Sequence, residues 1–240
     1  MPPSKFGAEL GARLCAGSHL ILFGPRGSGK STLLKDLGEH YKAIGTPYGV
    51  ATQTSRLPDI VAALADAYPE VHIEGMGKRA AAARLRFTAD AEPGVLLLDH
   101  TTMVTTAMLG YLRRLRGGIA GALVVVDIDS PREQNRVKSW QVGALSVRMP
   151  LRSNRHLHQL LSDITHAADL PPLGPRNARY ITRMARGRIG WLNECARRLQ
   201  MQEYWLAGQL RLAEICMDTE FAVRESRRGP RILRRRGQAR

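Results

Sequence analysis

Residues 24–31 read Gly-Pro-Arg-Gly-Ser-Gly-Lys-Ser, a full match to the pattern G-x-x-x-x-G-K-[ST]. The apolar run Leu20–Phe23 precedes it and the helix-forming Thr32-Leu-Leu-Lys-Asp-Leu37 follows it. The stretch therefore predicts a buried strand, a glycine-built turn and a helix, in that order. Gly24, Gly27 and Gly29 allow backbone angles that side chains block, so main-chain amides can close around an anion. The helix beginning at Lys30 points the positive end of its dipole at the same spot. Such a cradle suits a polyphosphate. Gly24, Pro25, Arg26, Gly27, Ser28, Gly29, Lys30, Ser31 and Thr32 are the candidate nucleotide-binding residues. Lys30 is expected to bridge β- and γ-phosphates and Ser31 to hold Mg²⁺ through its hydroxyl, which makes ATP and Mg²⁺ the expected cofactors.

A second acidic strand follows. Val95-Leu-Leu-Leu-Asp99 is an apolar run ending in a carboxylate about 70 residues after Lys30. That spacing leaves room for one extra strand and two helices. Asp99 is the candidate for holding Mg²⁺ through water, and with Ser31 it forms the candidate metal set. His100 follows it, and a neutral imidazole there could take a proton from an attacking water. A third apolar run ends Val124-Val-Val-Asp127-Ile-Asp129. Asp127 or Asp129 is expected to sense the γ-phosphate through the metal. Asp129-Ser130-Pro131 reads equally as a helix start.

Strand and helix signals alternate through the first 150 residues. Leu20–Phe23, Tyr48–Thr52, Val95–Leu98, Ala122–Val126 and Leu145–Val147 read as strands, and the stretches from Lys30, Leu57–Ala67, Gly77–Asp90, Thr102–Arg116 and Pro131–Trp140 as helices. This alternation predicts a P-loop α/β fold with a five-stranded parallel sheet flanked by helices. After Pro150 the strand signals stop, and Asn154–Asp169, Arg176–Ala185, Trp191–Tyr204 and Trp205–Val223 all read as helices. The expected organisation is a P-loop core over 1–150, a small helical lid over 151–225 and a basic tail over 226–240 that is disordered when unbound.

Charge narrows the partners. Lys plus Arg outnumber Asp plus Glu by 36 to 21, a net +15. Residues 224–240 carry Arg224, Arg227, Arg228, Arg231, Arg234, Arg235, Arg236 and Arg240 against Glu225, or +7 of that total. The body keeps the remaining +8, so both it and the tail are expected to attract nucleic acid, DNA in particular. Arginine forks pair with phosphate oxygens without reading sequence. The three cysteines, Cys15, Cys195 and Cys216, are far apart with no CxxC, which fits a reducing cytosol. No apolar run is long enough to span a bilayer, and the N-terminus has no signal-peptide pattern. His156 and His158 lie two residues apart and diverge on a helix, so they do not form a metal pair. Ser18-His19 has no acidic partner for a hydrolytic triad.

With the loop Gly24–Ser31, the acidic strand Val95–Asp99, the polar strand end Asp127–Asp129 and a helical C-terminal region, the chain resembles AAA+ ATPases of the ASCE branch over about residues 6–205. It is similar to the compact origin-recognition and transposition-helper groups, including ExeA-like and TniB-like proteins. Arg113-Arg114-Leu115-Arg116 and Arg186-Gly187-Arg188-Ile189-Gly190-Trp191-Leu192 add to that likeness. The resemblance implies ATP hydrolysis, slowed because His100 stands where a glutamate is usual. It also implies a lid arginine at the γ-phosphate, with Arg188 the nearest match, and an ATP-dependent homo-oligomer completed by a neighbour's arginine, here Arg136. A protein partner is implied as well. Two other readings stay open: a signalling or defence switch that holds ATP with little hydrolysis, and a P-loop small-molecule kinase.

Overall fold

The computed structural model describes residues 4–54, 56–101, 106–115, 119–128 and 144–225. The helix expected over Pro131–Trp140, together with Asp129, Arg136 and the tail 226–240, lies outside the described residues. The chain divides into two compact units, one of residues 1–25 and 29–150, the other of residues 26–28 and 151–240.

The first unit is built on five parallel strands: β1 (His19–Gly24), β2 (Tyr48–Ala51), β3 (Val95–Leu98), β4 (Gly121–Asp127) and β5 (Leu145–Arg148). Their order across the sheet is β2-β3-β4-β1-β5, so β4 lies between the loop strand and the acidic strand. Helices α1 (Lys5–Cys15), α2 (Lys30–Ile44), α3 (Leu57–Ala67), α4 (Lys78–Ala91) and α5 (Thr106–Leu115) cover it. β3 shows why its sequence is an unbroken apolar run. Val95 and Leu97 enter one core with Leu10, Leu14, Leu33 and Leu37, while Leu96 and Leu98 enter another with Ile60, Leu64, Leu85 and Tyr111. A strand covered on both faces has no polar side to show.

Local chemistry sets the helix starts. Ser4 Oγ accepts from the Gly7 amide and opens α1, a helix absent from the sequence expectations. Asp59 Oδ2 accepts from the Arg56 amide at 2.8 Å, and Pro58 occupies the first turn of α3. Gly49 lets α3 lie against β2, since a Cβ there would stand 1.7 Å from the Ala63 carbonyl oxygen.

The second unit packs α6 (Asn154–Ala167), α7 (Pro175–Ala185), α8 (Ile189–Leu199) and α9 (Leu212–Glu225) around Leu157, Leu161, Ile181, Trp191, Leu192 and Ile215. The continuous helix expected from Trp205 is not what forms. A short antiparallel pair, β6 (Trp205–Leu206) and β7 (Gln209–Leu210), turns through Ala207 and Gly208, both at positive φ, before α9 begins. Ala207-Gly208 is the hairpin signal that helical periodicity overrode. α8 likewise ends at Leu199, short of the expected Tyr204, because a 3₁₀ turn at Gln202–Tyr204 leads into the hairpin.

Candidate functional site

The carboxyl ends of β1, β4 and β3 carry the candidate residues side by side. In register, Gly24 of β1 faces Asp127 of β4, and Leu98, just before Asp99, faces Val124. Ligands of open α/β sheets bind at this edge, beyond the carboxyl ends of the strands. Two glycines of the β1–α2 loop need their freedom: Gly27 has φ 72° and Gly29 has φ 93°. Gly29 is the residue that leads into α2. No side chain caps that helix, and no acidic residue occupies its first turn. The positive dipole end at Lys30 and Ser31 is thus not offset by a carboxylate from the helix's own first turn.

Lys30 is 4% exposed. Its Nζ donates to the Gly24 carbonyl at 2.9 Å and to the Pro25 carbonyl at 2.7 Å. It also forms an ion pair with Asp127 Oδ1 at 2.8 Å. The loop's own carbonyls thus hold the ammonium under the turn, and a buried carboxylate from β4 balances its charge. Asp99 is also buried. Its Oδ1 accepts from the His100 amide at 2.8 Å. The His100 ring lies between the two acids, Nε2 3.8 Å from Asp99 Oδ2 and Nδ1 3.8 Å from Asp127 Oδ2. His100 has φ 45°, a left-handed conformation that histidine adopts more readily than most side chains. Lys30, Asp99, His100 and Asp127 therefore form one cluster. Ser28 is buried in the loop, whereas Ser31 and Thr32 are exposed on the first turn of α2.

Among the described residues no three of His, Cys, Asp or Glu form a group able to hold a metal ion. The Thr54 amide donates to the Asp99 carbonyl, and the Thr101 amide to the Val125 carbonyl, each at 3.1 Å. Both threonine hydroxyls are buried with no protein partner among the described residues.

Arg188, which the resemblance places at the γ-phosphate, is engaged within the helical unit. Its Nε donates to the Ala185 carbonyl at 3.0 Å, and one terminal nitrogen donates to Met184 O at 3.1 Å and Glu220 Oε2 at 2.8 Å. The guanidinium lies 5.9 Å from the Trp191 ring centre. Burial pushes the Glu220 carboxyl up, but the hydrogen bonds and charges of Arg188 and Arg224 outweigh it, and the net displacement is downward. Sequence reading missed Glu220 because it lies 32 residues from Arg188. It also missed that Asp127 pairs with Lys30. The polar end of an apolar strand was the available signal, and it marked the residue without its partner.

No protein-family model and no curated protein matches the chain, but solved structures do. The chain is similar to domain III of the replication initiation protein DnaA from Thermotoga maritima, at 14% identity and a TM-score of 0.51 over 90% of this chain and 91% of that one. It is similar to AMPPCP-bound DnaA from Aquifex aeolicus at 16% identity and a TM-score of 0.50, covering 94% and 67% of the two chains. A DNA replication initiation factor aligns at 18% identity and a TM-score of 0.47. The chain covers 54% of that factor, about half its length. At these identities the two DnaA likenesses establish the fold alone, a P-loop NTPase fold with a five-stranded parallel sheet flanked by helices.

Proposed function

We propose that the chain is an ATP-binding AAA+ ATPase that acts on DNA as a regulator, loader or transposition helper and assembles with copies of itself when ATP is bound. The observation that carries this reading is the cluster of Lys30, Asp127 and Asp99 at adjoining strand ends, under an uncapped helix N-terminus. The amides of residues 24–29 would surround the β- and γ-phosphates. Lys30 would trade its loop carbonyls for phosphate oxygens, and Ser31 and Asp99 would hold Mg²⁺. The metal, when bound, offsets the negative charge that builds on the phosphates as the terminal bond breaks. Asp127, released from Lys30, would register whether a γ-phosphate is present. The DnaA neighbour bound to AMPPCP is consistent with nucleotide in this kind of fold. The basic body and the arginine run 227–240 favour a polyanionic partner.

Lys30→Ala tests the site. The variant is expected to lose ATP–Mg²⁺ affinity by about 100-fold or more, as removal of a charge-assisted phosphate contact from a dry site does. Equilibrium binding of a fluorescent ATP analogue measures it, and unchanged affinity would sink the assignment.

His100 supports a second reading, a switch that holds ATP with little turnover. The position after Asp99 holds an imidazole where AAA+ ATPases usually carry glutamate, and its two ring nitrogens lie 3.8 Å from the Asp99 and Asp127 carboxylates. The kinase reading fares worse. The large apolar cleft of about 810 Å³ between α3, α4 and α5 is lined by Val61, Ile73 and Met76 with Lys78, Arg79 and Arg86 at hand. Among the described residues no carboxylate lines it to take a proton from an acceptor hydroxyl.

A further inference from the structure

We propose that the arginine stripe on α7 is a contact for the phosphate backbone of nucleic acid, separate from the C-terminal arginine run; the inference rests on the DNA-acting reading above. α7 buries Ala178, Ile181, Thr182 and Ala185 on one face. The opposite face presents Arg176, Arg179, Tyr180 and Arg183 to solvent. At 3.6 residues per turn the three arginines fall within about 60° of the helix circumference. Arg186 follows at the C-cap with φ 49°, a left-handed position where glycine is the usual occupant.

Among the described residues no carboxylate is paired with the stripe. No Asp or Glu occurs between Asp169 and Glu194. Among the described residues Arg176, Arg179, Arg183 and Arg186 have no ion-paired or hydrogen-bonded side-chain partner. The same unit treats other arginines differently: Arg188, Arg197, Arg198, Arg211 and Arg224 each pair with a glutamate. Like charges three and four residues apart weaken a helix, and Arg176 sits at the positive end of the helix dipole. The helix therefore carries an electrostatic cost that an anion from outside would offset.

The chemistry of the face selects the anion. A membrane-surface helix keeps its apolar face free for lipid, whereas the apolar face of α7 is packed into the helical core. The outward face offers planar guanidinium forks, matched to phosphate, and a half-exposed tyrosine that can lie against a sugar or base. Arg176 to Arg183 spans about 10 Å, over which one strand of duplex DNA presents about three phosphates.

The test uses the full chain and a labelled 30-base-pair duplex, titrated at several salt concentrations between about 50 and 200 mM, the range in which phosphate contacts dominate affinity. The variant Arg176→Gln/Arg179→Gln/Arg183→Gln/Arg186→Gln is compared with a charge-matched control, Lys5→Gln/Arg13→Gln/Lys35→Gln/Lys42→Gln, and with a chain ending at Arg224. The α7 variant is expected to bind about 100-fold more weakly and to lower the log–log salt slope by about 3 to 4, near 0.9 for each lost phosphate contact. The control should shift affinity less than about threefold, since its charges act only at long range. Replacing the four arginines by lysine should retain most of the slope. If the four-glutamine variant does not fold, Arg179→Gln alone should lower the slope by about 1. Wild-type binding with the same affinity and slope in the α7 variants overturns the inference and leaves the broader reading standing. A wild-type chain that binds neither duplex nor single-stranded DNA removes both. Binding to phosphatidylserine vesicles in preference to DNA, lost in the same variant, would make α7 a membrane contact and overturn the proposal.

Discussion

At the residue scale, the site turns on how charges are balanced when no phosphate is present. Lys30 is buried, and a buried ammonium with no partner is strongly disfavoured. Asp127 supplies the counter-charge at 2.8 Å and two carbonyls supply acceptors. His100 then separates Asp127 from Asp99, two buried carboxylates that would otherwise repel across adjacent strand ends. Under the ATPase reading proposed above, His100→Glu introduces the carboxylate that AAA+ ATPases usually carry there, but places a third acid in the cluster at a positive φ. Hydrolysis by this variant is expected to rise about tenfold or more through general-base assistance. Its stability without nucleotide should fall by about 1–2 kcal/mol from repulsion and left-handed strain. Phosphate release and denaturant unfolding read the two effects, and an unchanged rate would show that the base does not limit turnover.

At the element scale, α8 and α9 are joined by an ion pair as well as by apolar packing. Arg188, at the start of α8, donates to Glu220 in the middle of α9 and also to carbonyls at the end of α7. One guanidinium thus ties three helices at a corner. Glu220→Gln is expected to lower the stability of the helical unit by about 1–2 kcal/mol at neutral pH, the range for a partly exposed charged hydrogen bond. The folded-state pKa of Glu220 lies below its ordinary 4.5. Its contribution is therefore fully present above about 4.5 and is lost as pH falls through the lower folded value. Thermal unfolding of both proteins across pH 3–7 measures this. The gap between them should close on the acid side, and a constant gap would mean that packing, not charge, is lost in the variant. The arrangement also bears on the nucleotide. For Arg188 to reach a γ-phosphate it must first leave Glu220, so any sensing role carries that exchange as its cost.

At the scale of the whole molecule, the two compact units differ in how they were written. The five strands of the α/β unit were legible: β1, β3 and β4 lie on apolar runs, β2 and β5 on shorter mixed ones, and the glycine loop follows β1. The α1 helix was not read, because its apolar residues Leu10 and Leu14 are few and Gly7 and Gly11 interrupt the pattern. In the helical unit periodicity found α6 and α7, then ran past the hairpin at Ala207-Gly208. The proposed ATP-dependent assembly belongs to this scale too. Light scattering is expected to show a particle several times the 26.5 kDa chain mass with ATP and duplex DNA, and a smaller one with ADP. A monomer under every condition would remove the assembly reading. Spacing along the chain was enough to place the glycine loop and the strand-end acid, because both are local features whose geometry follows from their immediate neighbours. Pairing Lys30 with Asp127, setting His100 between two acids and engaging Arg188 with Glu220 were decided by tertiary structure alone. Each joins side chains from separate elements, and only strand order and helix packing bring those charges within a few ångströms.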